Sequence, residues 1–374
     1  MNNRPEDRPP ESSTDDSQSA QAKTDAIATV FASKPEGTFP YRAWWPLLAG
    51  VLIGIVLRLL FSGGVAWQGI KFAESVTGSL GSAMSGFFIY CSPLAVSAVT
   101  VYLGERLRRR SWGYYFWMGA LPNALFVLGT LLILIEGLIC AIIIVPLFML
   151  LGGVGGLIMG AICRWMIFPR ASVLSFMTLP VVLALVVPPA EKVPLIGVIE
   201  RAVVVRAAPE KVWPHLMNAE RIEPDEVSRG WLYRIGVPLP EAGVTTRTDG
   251  GKNLLRSITM GKAIHFEQQS SEWRENEFVR WTYRFAADSF PPHALDDHVQ
   301  IGGEFFDIID TRYTLVPVAD GTTQLKVQIH YRVSTDFNWY ANGVAKLLIG
   351  NFEEVILDFY RVRAERIVSE SRGI

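Results

Sequence analysis

The sequence predicts two architectures in series: an α-helical transmembrane bundle, then an α+β domain whose antiparallel strands are closed by a long C-terminal helix. Three observations predict it. Apolar stretches of bilayer length recur between residues 41 and 189. After residue 195, β-branched and partly alternating segments punctuated by turn signals take over. The last of them gives way to an apolar repeat at three- and four-residue steps over residues 337–367, the period of an amphipathic helix.

The 374-residue chain is 50% hydrophobic, and the excess lies in its first half, which is why the membrane reading applies there and not throughout. With 35 Lys and Arg against 36 Asp and Glu, the formal net charge of -1 supplies no basic field, and no nucleic-acid partner is expected. Cys91, Cys140 and Cys163 all fall inside apolar runs, without the spacing of a zinc or redox motif, so neither a metal nor a cofactor is expected.

Residues 1–40 are rich in Pro, Ser, Asp, Glu and Gln, cannot bury enough apolar surface to offset chain entropy, and are expected to be a disordered polar tail. A polar tail of this kind also argues against a cleavable signal peptide directly after the first methionine. Residues 41–189 read as a transmembrane region of about five helices, at about 44–63, 84–103, 114–134, 138–163 and 173–187. Trp44 and Trp45 suit the headgroup level. Arg58 inside the first span needs a partner or must snorkel. Glu136, between the third and fourth spans, comes to the same side in a five-span topology, so an Arg58–Glu136 ion pair is one reading and a hydrated Glu136 the other. Gly152, Gly156 and Gly160 form two overlapping Gly-x-x-x-Gly steps that permit close helix packing.

The cluster at Arg106, Arg108, Arg109 and Arg110, with Arg164 and Arg170, places that side of the bundle in the cytoplasm by the positive-inside rule. Five crossings then leave the N-terminal tail in the cytoplasm and the C-terminal domain on the outer side. The fifth segment is short, and if it lies in the interface the domain returns to the cytoplasm.

A proline-bounded linker, residues 190–195, leads into the domain at 196–368, with a short tail at 369–374. Strands are expected at 196–206, 231–237, 254–260, 263–273, 277–285, 304–316 and 323–334, with a short helix after Ala208-Pro209 and a long loop at 286–302. On the final helix Tyr340, Val344, Leu348, Phe352, Val355, Ile356, Phe359 and Val362 make an apolar stripe, opposite Lys346, Glu353, Asp358, Arg361 and Glu365. Gly343 and Gly350 lie two turns apart. Each costs about 1 kcal/mol against alanine, so they mark either room beneath the helix or a loss that packing tolerates.

A strand, then Ala208-Pro209-x-x-Val212-Trp213 opening a short helix, several antiparallel strands, Tyr313-Thr314-Leu315-Val316-Pro317 before Gly321-Thr322-Thr323-Gln324-Leu325, and a long last helix resemble the START-like, or SRPBCC, superfamily. The branch it resembles is the one described as polyketide cyclase/dehydrase and lipid-transport-like. The resemblance covers residues 196–368. The whole chain looks like bacterial membrane proteins that carry such a domain behind several spans, which implies a multi-pass protein of the bacterial plasma (inner) membrane. It implies a helix-grip fold, a curved antiparallel sheet around the last helix, with a cavity between them that usually takes an apolar ligand. Enzymes, carriers and proteins of unknown role share that fold, so it leaves function open.

Alternation puts Val279, Trp281, Tyr283 and Phe285 on one face of their strand, with Tyr313, Leu315, Leu325, Val327, Ile329 and Tyr331 on the matching faces of later strands. Trp281, Tyr283, Tyr313 and Tyr331, with Gly343 and Gly350, are the candidate pocket residues; for any one of the aromatics, core beneath a helix is the reading that stands ahead. His330, Asp310 and Arg312 share the charged face and are expected to form a solvated cross-strand group. The loop carrying His293, Asp296, Asp297 and His298 is the candidate pocket mouth, too poorly preorganised by itself to hold a metal.

No catalytic group is assigned, since the inferred pocket face carries no inward histidine or carboxylate pair. Three functions stay open. One is a membrane-anchored binding module that takes a lipid or other apolar small molecule for sensing or transfer, its partners the bilayer and that ligand. Another is a cyclase/dehydratase-like enzyme using the same cavity. The third is a scaffold with a filled cavity. Oligomeric state is not legible.

Overall fold

The computed structural model describes residues 44–62, 82–107, 109–133, 135–165, 170–187, 191–292, 294–295, 298, 300–318 and 321–372. The expected N-terminal tail, most of the stretch between the first two expected spans, and His293, Asp296 and Asp297 of the loop lie outside the described residues.

Among the described residues, five apolar helices form the first half: α1 Trp44–Leu60, α2 Ser92–Leu107 entered through a π-helical turn at Phe87–Cys91, α3 Trp112–Leu132, α4 Leu138–Trp165 and α5 Arg170–Val186. Three stretches, Phe87–Arg106, Trp112–Leu132 and Leu138–Trp165, are long and apolar enough to cross a membrane, whereas α1 and α5 are apolar but 17 residues each. At 1.5 Å per residue those two reach only about 25 Å, short of a hydrocarbon core of about 30 Å. α4 packs on α3 through its glycines. A Cβ at Gly152 or Gly156 would collide with the backbone of Gly119 or Tyr115, and one at Gly160 with the Tyr115 ring, so the stripe is spent on packing inside the bundle. Arg58 and Glu136 form an ion pair between two nearly buried side chains, the first of the two arrangements the sequence leaves open.

At the opposite end of α4, the Arg164 guanidinium donates to the Arg110 carbonyl at 2.6 Å and lies 4.7 Å over the Trp112 ring. The arginine-rich end and the Arg58–Glu136 end are therefore the two ends of the bundle, because α4 starts beside the one and finishes at the other.

The C-terminal half is a seven-stranded antiparallel sheet in the order β1-β7-β6-β5-β4-β3-β2, with β1 Leu195–Val205, β2 Pro240–Thr248, β3 Asn253–Met260, β4 Ile264–Arg274, β5 Phe278–Arg284, β6 Phe306–Val318 and β7 Thr322–Val333. Three short helices, α6 Pro209–Met217, α7 Pro224–Val227 and α8 Trp231–Arg234, separate β1 from β2, and the 35-residue α9, Asn338–Arg372, closes the domain. On β7 the alternation is complete: Leu325, Val327, Ile329, Tyr331 and Val333 are buried while the residues between them are partly exposed. They join Trp281, Tyr313, Ile356, Phe359 and Tyr360 in one core between sheet and helix. A sheet closed around a long terminal helix is the arrangement the helix-grip expectation describes.

Two elements differ from expectation. Residues 231–237, expected as a strand, begin with the single helical turn α8, whose Leu232 N–H donates to Asn351 Oδ1 at 3.1 Å. The aromatic and β-branched residues there serve packing under α9, and Gly236 at φ 107° turns the chain before any ladder can form. The strand unmarked in the sequence is β2, at the sheet edge. Among the strands it pairs with β3 alone, its other edge meeting only a bridge from Ala219 to Gly243, so its Thr and Arg residues can face solvent and the apolar alternation that marks a strand is weak.

Glu353 also departs from expectation. Expected on the solvated side of the last helix, it is 0% exposed, and both its carboxylate oxygens lack a hydrogen-bond partner. α9 lies against β1 and β7 as well as over the concave face, so more than one stripe of it is covered.

Candidate ligand-binding cavity

Between the concave face of the sheet and α9 lies a cavity of about 290 Å³. Its wall is mostly apolar: Ile258, Met260, Phe266, Ile308 and Ile329 from the strands, and Ala345, Leu348, Ile349, Phe352 and Ile356 from the helix. Those helix positions recur at three and four residues, so a single stripe faces the space. At one end the lining passes to Leu295, His298, Ile301 and Phe305 and to Ile139 and Ile143 of α4, so the cavity ends against the helical bundle.

Several contacts seat the domain there. The Gly86 N–H donates to the Asp336 carboxylate at 2.7 Å, Trp339 Nε1 to the Tyr90 hydroxyl at 2.9 Å, and the Tyr340 hydroxyl to the Ile143 carbonyl at 2.6 Å. Phe337, just before α9, is buried with Leu57, Phe61 and Phe88 of the bundle.

The polar part of the wall is a row across three strands. In register, Arg256 of β3 faces Gln268 of β4, which faces Tyr283 of β5. Arg256 is 4% exposed, and its Nη2 donates to the Tyr360 hydroxyl of α9 at 3.1 Å while Nε has no partner. The guanidinium fits because residue 243 on the neighbouring edge strand is glycine; a Cβ there would lie 2.7 Å from Nη2. Burial opposes the Arg256 charge, but the oxygens of Tyr360, Tyr313 and Tyr283 around it outweigh that and hold its pKa above the usual value. Gln268, 8% exposed, leaves Oε1 without a donor. The Tyr283 hydroxyl shares a 2.7 Å hydrogen bond with Thr311 Oγ1, and burial pushes its pKa up to about 12. Burial, then the neighbouring Tyr360, raises Tyr313 well above the ordinary phenol value.

Of the six pocket candidates, Tyr283 and Tyr313 line the cavity and the other four do not. Trp281 is 0% exposed in the packed core, with the Arg256 guanidinium 5.8 Å above its ring. Tyr331 is buried against Gly197 of β1 and donates to Asn342 Oδ1 at 2.7 Å, so its ring fills space under the opposite edge of the sheet. Gly343 and Gly350 sit off the cavity stripe of α9: a Cβ at Gly343 would meet nothing within 4 Å, and one at Gly350 would lie 3.2 Å from the Arg201 guanidinium. Of the loop candidates, His298 lines the cavity near the bundle.

Sequence reasoning missed Arg256, Gln268 and Tyr360. The signal for the first was present, since Leu254, Arg256 and Ile258 share one face of β3 and a charge interrupts an otherwise apolar row.

On the other face of the sheet, His330 Nδ1 lies 2.9 Å from Asp310 Oδ1, and Arg280 Nη2 donates to Oδ2 at 2.9 Å. Asp310 is 2% exposed rather than solvated. Burial opposes its charge, but Arg280 and His330 prevail and hold it below the usual carboxylate range. Near the cavity end, single donor atoms of Glu136, Cys140 and His298 come within 4.8 Å of one another. Glu136 already pairs with Arg58, whose positive charge disfavours a cation beside it.

No protein-family model and no curated protein matches the chain. Among solved structures the C-terminal half is similar to the Zhui aromatase/cyclase from Streptomyces sp. R1128 (13% identity, TM-score 0.31, covering 46% of this chain and 96% of that one). A START superfamily protein from Mycobacterium smegmatis is similar at 15% identity and TM-score 0.31, over 46% of this chain and 98% of that one. Norcoclaurine synthase from Thalictrum flavum, as a point mutant with a transition-state analogue, is similar at 13% identity and TM-score 0.30, over 46% and 97%.

Proposed function

We propose that the chain is a membrane-anchored binding module that takes an apolar small molecule or lipid in the cavity between sheet and α9, for sensing or transfer at the bilayer. The observation that carries this reading is that an apolar cavity ends against Ile139 and Ile143 of α4 rather than against solvent-facing loops alone. A guest leaving the hydrocarbon would meet apolar groups on the way in. Binding fits the polar row better than proton-transfer catalysis does. Tyr283 and Tyr313 titrate far above neutrality, and Arg256 is a fixed charge, so none of the three is poised to exchange a proton near pH 7.

The same reading places the domain on the outer side. Its contacts, through Gly86, Tyr90 and Ile143, are at the end of the bundle opposite Arg110 and Arg164, and the positive-inside rule assigns the arginine-rich end to the cytoplasm.

Ala345→Phe tests the function. The added ring would fill part of the cavity from the helix side, and native mass spectrometry of the full chain should lose a co-purifying or added apolar ligand while the fold persists. Wild-type protein that carries no such ligand and binds none on addition would overturn the proposal.

A further inference from the structure

Arg256 is a buried cation for which no described acidic residue forms an ion pair. A guanidinium stays protonated at any working pH and presents five N–H donors in a planar fork. One of these is given to Tyr360, while the buried Nε has no partner. Beside it Gln268 Oε1 is also unsatisfied, so one patch of an otherwise apolar wall is incomplete as it stands. The strand edge makes room for the charge at Gly243, and at 4% exposure little solvent screens it. The tyrosine oxygens around it favour the charge but carry none of their own, and a counter-charge brought into the same space would stabilise it further.

Resting on the reading of this cavity as a ligand site, we infer that its guest is a compact apolar acid of the single-chain fatty acid class, with its carboxylate on the Arg256 guanidinium. The remainder of the wall suits the hydrocarbon part. The size agrees: about 290 Å³ lies at the lower edge of ligand cavities, which run from about 300 to 1,000 Å³, and so suits one acyl chain rather than a two-chain phospholipid.

The test compares lauric acid with methyl laurate, which has the same chain without the charge. Both are titrated onto the full chain in detergent and read by native mass spectrometry, for wild type and Arg256→Met. Wild type should bind the acid about tenfold or more tightly than the ester, the scale of one charge-assisted bidentate pair. Arg256→Met, of similar reach and without charge, should lose that preference while still binding the ester. If Arg256→Met does not fold, Arg256→Lys takes its place; it should keep the preference for the acid but weaken it, because an ammonium cannot pair bidentately. Equal binding of acid and ester by wild type, or an undiminished preference in the folded variant, would overturn the inference and leave the cavity reading standing. Binding of neither would overturn both.

Discussion

Glu353→Gln gives the sharpest test of how α9 is packed. The carboxyl lies at the covered side of the last helix, facing Arg201 and Glu200 of β1, with no hydrogen bond to either oxygen. Burial raises its pKa from the ordinary 4.5 to about 8, with Arg201 lowering it and Glu200 raising it by lesser amounts. In the unfolded chain the group releases its proton near pH 4.5, whereas in the folded chain it keeps the proton until about pH 8. Between those values the native state holds more protons than the unfolded state, so stability falls as pH rises. From pH 5.5 to 7.5 the loss is roughly 3 kcal/mol, at 1.36 kcal/mol per pH unit. For a domain of this size each kcal/mol moves Tm by about 2–4 °C, so wild type should lose about 6–12 °C across that interval. The glutamine cannot ionise and should flatten this dependence, leaving the variant the more stable protein at pH 7.5. Thermal unfolding of the full chain in detergent at both pH values, followed by intrinsic fluorescence, measures it, and the wild-type comparison cancels the contributions of other groups. A variant with the same pH dependence as wild type would show that Glu353 is hydrated and α9 more open on that side.

Reversing Arg58→Glu or Glu136→Arg alone should cost about 3–5 kcal/mol by leaving a buried charge without its partner, and the double reversal should recover part of it. A double variant no more stable in detergent than either single would remove the pair from the account. Trp281→Ala should cost about 3–5 kcal/mol, because a fully buried indole leaves a cavity beneath Arg256. Denaturant unfolding that shows a loss under about 1 kcal/mol would place the ring outside the core.

The periodicities were legible because each repeats a local requirement. Helical positions 337–367 and the alternation on β5 and β7 are enforced residue by residue by one covered face, and the concave aromatic side follows from them. β2 was hidden because an edge strand needs no apolar alternation, and α8 because four residues cannot show a period. The site is a harder case. Tyr283 and Tyr313 were within reach, since they sit on the correct face, but whether an inward side chain lines a space or packs against its neighbour depends on how far the helix stands off the sheet at that point. Trp281 and Tyr331 face inward equally and are filled over.

By itself, then, the amino-acid sequence determined the division into an apolar helical half and an antiparallel sheet closed by a long helix, and the need of Arg58 for a partner, because burial period and the cost of a charge in an apolar span act along the chain. Only the tertiary structure decided that Arg256, Gln268 and Tyr360, from three separate elements, share one wall, that Glu353 is covered, and that the cavity ends on Ile139 and Ile143. Those facts depend on distances between segments far apart in sequence, and no local pattern of residues encodes such a distance.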